Sequence, residues 1–179
     1  MSKFGELISL EVPILLDFYT ETWPGCIRLD AETYSDSEVQ AFSNANLVSI
    51  KMDANDEEAR KIFDDYNCKG VPHLLFVDDK GNEVDRIIGY LPPSEYLARI
   101  QDIRNNKYTL DDFLAQYKSG QADAEIIAGI ALKYEDRGDS ENAKEFYLIL
   151  IKDYPDPTLE HHQRGTYFLA SDAFKNGVS

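Results

Sequence analysis

Residues 14–30 read ILLDFYTETWPGCIRLD, and the rest of the chain is organised around them. Ile14-Leu15-Leu16 followed by Asp17-Phe18-Tyr19 has the length and apolar character of a buried strand. Thr20-Glu21-Thr22 breaks that run, and Trp23-Pro24-Gly25 leads into a segment with helical spacing that starts at Cys26. Pro24 stands near the helix start, where a missing N–H costs nothing. A strand, a short loop and a helix start carrying a cysteine together make a layout for thiol chemistry.

Outward from this stretch, the pattern alternates between strand and helix. Before it, Phe4, Leu7, Ile8 and Val12 predict a short first helix over residues 3–11, closed by Pro13. After it, helical spacing runs from Pro24 to about Asn44. Ser35-Asp36-Ser37 interrupts that helix and offers a fresh N-cap. Residues 47–53 alternate and predict a second strand, and Asn55 or Asp56 caps a helix over 57–66. Val71-Pro72 opens an apolar run to Val77, Asp78-Asp79-Lys80-Gly81 turns it, and Glu83 to Ile88 returns as a hairpin partner. Gly89-Tyr90-Leu91 then leads to a helix begun by Pro92-Pro93, with Tyr96, Leu97, Ile100 and Ile103 on its apolar face.

Composition bounds the function. The chain has 179 residues, enough for one or two domains with a real core, and a charged fraction of 28% typical of a globular protein. A net charge of -15 argues against nucleic acid or an anionic membrane as partner. No apolar run is long enough to span a bilayer, and Met1 to Ile8 contains no secretory h-region, so the expected location is the cytoplasm. Two cysteines, Cys26 and Cys68, do not form a secreted disulfide framework. They are either two packed thiols or, if their Cα atoms come within about 7 Å, a bridged pair. His73 follows Pro72 and is far in sequence from His161 and His162, so no metal-ligand spacing appears, and no cofactor motif is present.

Asp17-Phe18, Cys26, Val71-Pro72 and Gly89, in that order, resemble the thioredoxin family over about residues 1–104. The resemblance implies an α/β fold with a mixed sheet flanked by helices, a cis peptide bond before Pro72, and a glycine loop bordering a substrate groove. In that family a Trp-Cys-x-x-Cys motif follows the first strand. Counted from Asp17 without a gap, Trp23 stands at the first cysteine and Cys26 at the second; with a one-residue deletion Trp23 is the family's tryptophan and the first cysteine is still missing. Disulfide exchange needs an attacking thiolate and a resolving thiol, and Trp23 is neither. The resemblance also gives Asp17 the role of a buried carboxylate beneath the second thiol, moving its proton.

After Arg104 everything reads as helix. Thr109 caps one that carries Leu110, Phe113, Leu114 and Tyr117, and Ser119-Gly120 ends it. Residues 124–157 resemble one tetratricopeptide (TPR) repeat: Ala131 and Tyr134 on the first helix, Gly138-Asp139 at the turn, Ala143 and Tyr147 on the second, and Tyr154-Pro155 at the close. Residues 158–175 continue as the first helix of another, with Gly165 in the small position and Asn176-Gly177 as its stop. The domains expected are thus a thioredoxin-like 1–104 and an all-α, TPR-like 105–179. The leading function is binding of a polypeptide in a groove built by Trp23, Val71, Pro72, Gly89 and Tyr90. One alternative is a thiol–disulfide oxidoreductase acting through Cys26 and Asp17, with Cys68 as a substitute second thiol. The other is a scaffold whose helical tail meets a protein partner or a second copy of the chain.

Overall fold

The computed structural model describes residues 13–175 and Gly177, in two compact units that divide between Lys107 and Tyr108. The division falls three residues beyond the expected boundary at 104. The helix expected over residues 3–11 lies outside the described residues.

The first unit is built on a four-stranded sheet. Strands β1 (Ile14–Tyr19), β2 (Val48–Asp53), β3 (His73–Val77) and β4 (Glu83–Ile88) lie in the order β2-β1-β3-β4. β1 runs parallel to β2 and antiparallel to β3, and β3 and β4 form the expected hairpin, with a bulge at Phe76/Val77. β1 is central and buried on both faces, which is why its sequence is an apolar run rather than an alternation. Successive side chains still go to opposite faces. Ile14, Leu16 and Phe18 pack with Phe63, Leu75 and Val77, while Leu15 packs with Leu29, Val39, Leu74, Phe76 and Ile100. Asp17 shares the parity of Leu15 and is carried into that second layer.

Helices connect the strands. α1 (Pro24–Arg28) runs into one π turn (Leu29–Thr33), closed by the Tyr34 N–H donating to the Leu29 carbonyl. α2 (Ser37–Asn46) restarts after the break, capped by the Asp36 carboxylate on the N–H groups of Glu38 and Val39. The break falls at the predicted Ser35-Asp36-Ser37; the π turn ahead of it has no signal in the periodicity. α3 (Glu57–Asp65) is capped by Asp56, and α4 (Pro93–Arg104) begins at the second proline of Pro92-Pro93.

The second unit is all helix among its described residues: α5 (Leu110–Lys118), α6 (Ala124–Asp136), α7 (Ser140–Asp153) and α8 (Glu160–Lys175). Thr109, Asp123 and Asp139 cap the first three. Ala131 and Ala143 are fully buried in a core with Ile127, Ile130, Tyr147 and Leu150. Two glycines let neighbouring helices approach. A Cβ on Gly129 would lie 2.7 Å from two ring atoms of Phe113, and one on Gly165 would lie 3.0 Å from Tyr147 Cδ1. Gly129→Ala gains about 1 kcal/mol of helix propensity but overpacks the Phe113 ring, a cost of about 1–3 kcal/mol. The expected net result is a loss of about 1 kcal/mol, read as a lower urea midpoint for this unit. A stabilised Gly129→Ala variant would show that the ring moves aside freely.

Candidate active and peptide-binding site

The end of β1 builds the site. Thr20 accepts the Trp23 N–H at 3.4 Å, which turns the chain, and the Trp23 carbonyl takes the N–H groups of Cys26 and Ile27 at 3.0 and 3.1 Å. Trp23 is therefore the N-cap of α1 with extended backbone, and its side chain takes no part in the capping. The ring is 55% exposed. It lies over Gly25, since a Cβ there would meet Trp23 Cδ1 and Nε1 at 3.3 Å and Pro72 Cδ at 3.1 Å. A Cβ there would sit tighter than ordinary van der Waals contact on both sides, so glycine suits this close approach of loop and proline ring. Trp23, Gly25 and Pro72 thus form one surface.

The Val71–Pro72 peptide bond is cis. Pro72 is buried and its carbonyl accepts the Gly89 N–H at 2.9 Å, which ties the β4 exit to the β3 entry. The Val71 N–H and carbonyl have no hydrogen-bond partner among the described residues. Gly89 has φ +91°, a conformation that favours glycine.

Tyr90 is placed differently from the open groove wall expected. The Arg28 guanidinium sits 4.0 Å over its ring, and its hydroxyl donates to Glu32 Oε2 at 2.5 Å. Arg28 and Glu32 also pair with each other, one helical turn apart. The neighbouring Leu91 carbonyl accepts the buried Thr33 hydroxyl at 2.6 Å. The glycine loop is therefore fastened to the π turn, and a cation covers one face of the half-buried Tyr90 ring.

Cys26 is 4% exposed, and burial, aided by the nearby Asp17 and Asp30 charges, pushes its thiol up. A thiol in that state is a poor nucleophile near neutral pH. Cys68 is also buried, packs among Leu16, Phe63 and Leu75, and is pushed up to about 12 by burial. Both cysteines are free, so the bridged pair is ruled out for this structure. His73 is fully buried against Phe63, with its Nδ1 at 3.3 Å from the Lys69 backbone, and burial lowers it to about 4. It is a packed side chain, outside the groove. No cluster able to hold a metal occurs among the described residues.

Asp17 is the unusual group. It is 2% exposed, and no donor among the described residues reaches either oxygen at hydrogen-bond geometry. Burial raises its pKa to about 6; Lys51 and the nearby Tyr34 hydroxyl, itself unpartnered, pull the other way. Lys51 bridges to Asp30 and lies over the Tyr19 and Tyr34 rings. The sequence singled out Asp17 but not Tyr34, Lys51 or Gly25, which reach the site from other elements.

A family model described as a thioredoxin-like domain matches residues 3–104. The chain is 30% identical over 93 residues to the thiol:disulfide interchange protein DsbD of Yersinia pestis (strain Pestoides F), covering 50% of this chain and 16% of that protein. It is 26% identical over 109 residues to the chloroplastic thioredoxin-like protein HCF164 of Oryza sativa subsp. japonica, covering 61% of this chain and 40% of that one. The chain thus spans well under half the length of these relatives. A putative disulphide-isomerase from Bacteroides thetaiotaomicron superposes with a TM-score of 0.50 at 25% identity, covering 56% of this chain and 84% of its own.

Proposed function

The chain belongs to the thioredoxin-like family, and from that premise we propose that it binds an extended polypeptide and does not reduce disulfides through a dithiol. One observation supports the reading: Trp23, which an ungapped count from Asp17 sets at the family's first cysteine, is exposed and lies over Gly25, with Pro72 close on that same glycine. Beside it, the free Val71 N–H and carbonyl can add a peptide strand by main-chain hydrogen bonds. Trp23 supplies the apolar anchor, and tryptophan is a favoured residue at binding hot spots. The net charge of -15 favours a basic or neutral partner, with an on-rate that falls as salt rises. For the helical tail we propose a TPR-like role in protein contact, with the exposed Tyr167 and Phe174 of α8 as the surface for a partner or a second copy.

A second reading keeps redox chemistry at Cys26. It is favoured by Asp17, a buried carboxyl whose pKa burial raises to about 6 and whose charge acts on the Cys26 thiol. Insulin reduction with dithiothreitol separates the two. The wild-type protein should show no turnover above dithiothreitol alone, and Trp23→Cys should install it, because Cys26, Asp17 and Pro72 are already in place. Wild-type turnover that Cys26→Ser abolishes would replace the binding reading with the redox one.

A further inference from the structure

At the carboxyl ends of the parallel strands β1 and β2, beside Val71, lies a cavity of about 360 Å³ lined by Thr20, Asn55, Arg60, Cys68, Lys69 and Val71. The sheet opens there for a topological reason. From β1 the chain passes to the layer that contains Leu29, and from β2 to α3 in the layer that contains Phe63, on opposite faces of the sheet. Connections that leave adjacent parallel strands toward opposite faces open a crevice, and open α/β sheets bind ligands in it.

In a chain of net charge -15, the ionised residues that line this cavity are both cations. The full charges among its lining side chains belong to Arg60 and Lys69. Arg60 is paired with Asp64 at 3.1 Å, while Asp53 accepts from the Asn55 N–H and side-chain amide and Asp56 caps α3, so Lys69 is the lining cation left for a ligand carboxylate. Lys69 makes no ion pair among the described residues. The buried thiol of Cys68 stays protonated and adds no negative charge. A lysine with no ion pair among the described residues therefore lines the same cavity as Val71, whose backbone groups can hold a peptide strand.

We infer that this cavity is a subsite for one acidic side chain, Asp or Glu, of the polypeptide bound along Val71; the inference rests on the groove reading above. A strand bonded to Val71 presents successive side chains to alternate sides. Side chains of one parity can then enter the cavity that Lys69 lines with Val71. The client is then basic or neutral as a whole, as the field of the protein requires, with an acidic residue at one fixed position.

Selection of a random-peptide phage library on the full chain tests this, with peptides displayed without a free C-terminus so that only side chains supply a carboxylate. Wild type should enrich peptides with Asp or Glu at one position, and Lys69→Glu should enrich Lys or Arg there instead. For a selected peptide, changing that Glu to Gln should weaken binding about fivefold at low ionic strength, as for a half-exposed ion pair, and less at high salt. Lys69 is exposed, so its replacement leaves the core intact, and a thermal melt checks this. Peptides enriched with no acidic position, or an unchanged preference in Lys69→Glu, would overturn the subsite and leave the groove standing. No enrichment that depends on Trp23 would overturn the groove and the subsite together.

Discussion

Trp23→Ala should weaken the bound polypeptide by about 2 kcal/mol, roughly thirtyfold in Kd, while leaving the urea midpoint of the protein unchanged. The two halves of this result have separate causes. The ring is more than half exposed and belongs to neither core layer of its unit, so deleting it leaves no internal cavity. It also takes no part in capping α1, since the cap is made by the Trp23 carbonyl, which alanine keeps. In the proposed complex, by contrast, the peptide covers the ring beside Gly25 and Pro72, and truncation removes that apolar surface. Isothermal titration against a phage-selected peptide reads the first effect, and urea unfolding reads the second. A variant that binds normally would remove Trp23 from the site.

Asp17→Asn should stabilise the first unit by about 2–3 kcal/mol at pH 7 and by only about 0.5 kcal/mol at pH 4. The folded pKa of Asp17, about 6, is raised above its ordinary value of 3.8, so between those two pH values the native state holds the proton more tightly than the unfolded chain. Stability is then lost as pH rises through that window and levels off above it. Burial without hydrogen bonds is the cause, and a neutral amide of the same shape avoids the cost of the charge. Urea midpoints of wild type and variant measured from pH 4 to 7 should converge at the acid end. Parallel curves would mean that Asp17 is solvated or paired in solution.

What could be read from the chain, and what could not, divides by sequence distance. β1, the Glu83–Ile88 hairpin strand and the helix starts at Asp36, Asp56 and Thr109 are written locally, in periodicity, turn residues and caps. Asp17 and Cys26 were legible because a strand followed by a helix start orders them within a few residues. The state of Asp17 was not, because it depends on Tyr34 and Lys51, which reach it from the end of the π turn and from β2. The fastening of Tyr90 was equally hidden. Its contact with Glu32 and that of Leu91 with Thr33 each span 58 positions, and a single arginine lying over the ring changes the role expected of it. The close fit at Gly25 is hidden in the same way, because Pro72, 47 positions on, brings its Cδ within 3.1 Å of where a Cβ would be. Gly129 is the same lesson in the second unit, with Phe113 as the neighbour.

Trp23 is the chain's only tryptophan, so its emission reports on the groove alone. Acrylamide quenching of that emission, in the free protein and with a selected peptide bound, is the most direct test of a peptide-binding groove in place of a dithiol. The free protein should emit at long wavelength and quench readily, and the peptide should shift the emission to the blue and protect it. A blue-shifted emission already protected in the free protein would mean that the ring is buried in its own fold, and binding through this loop would be contradicted.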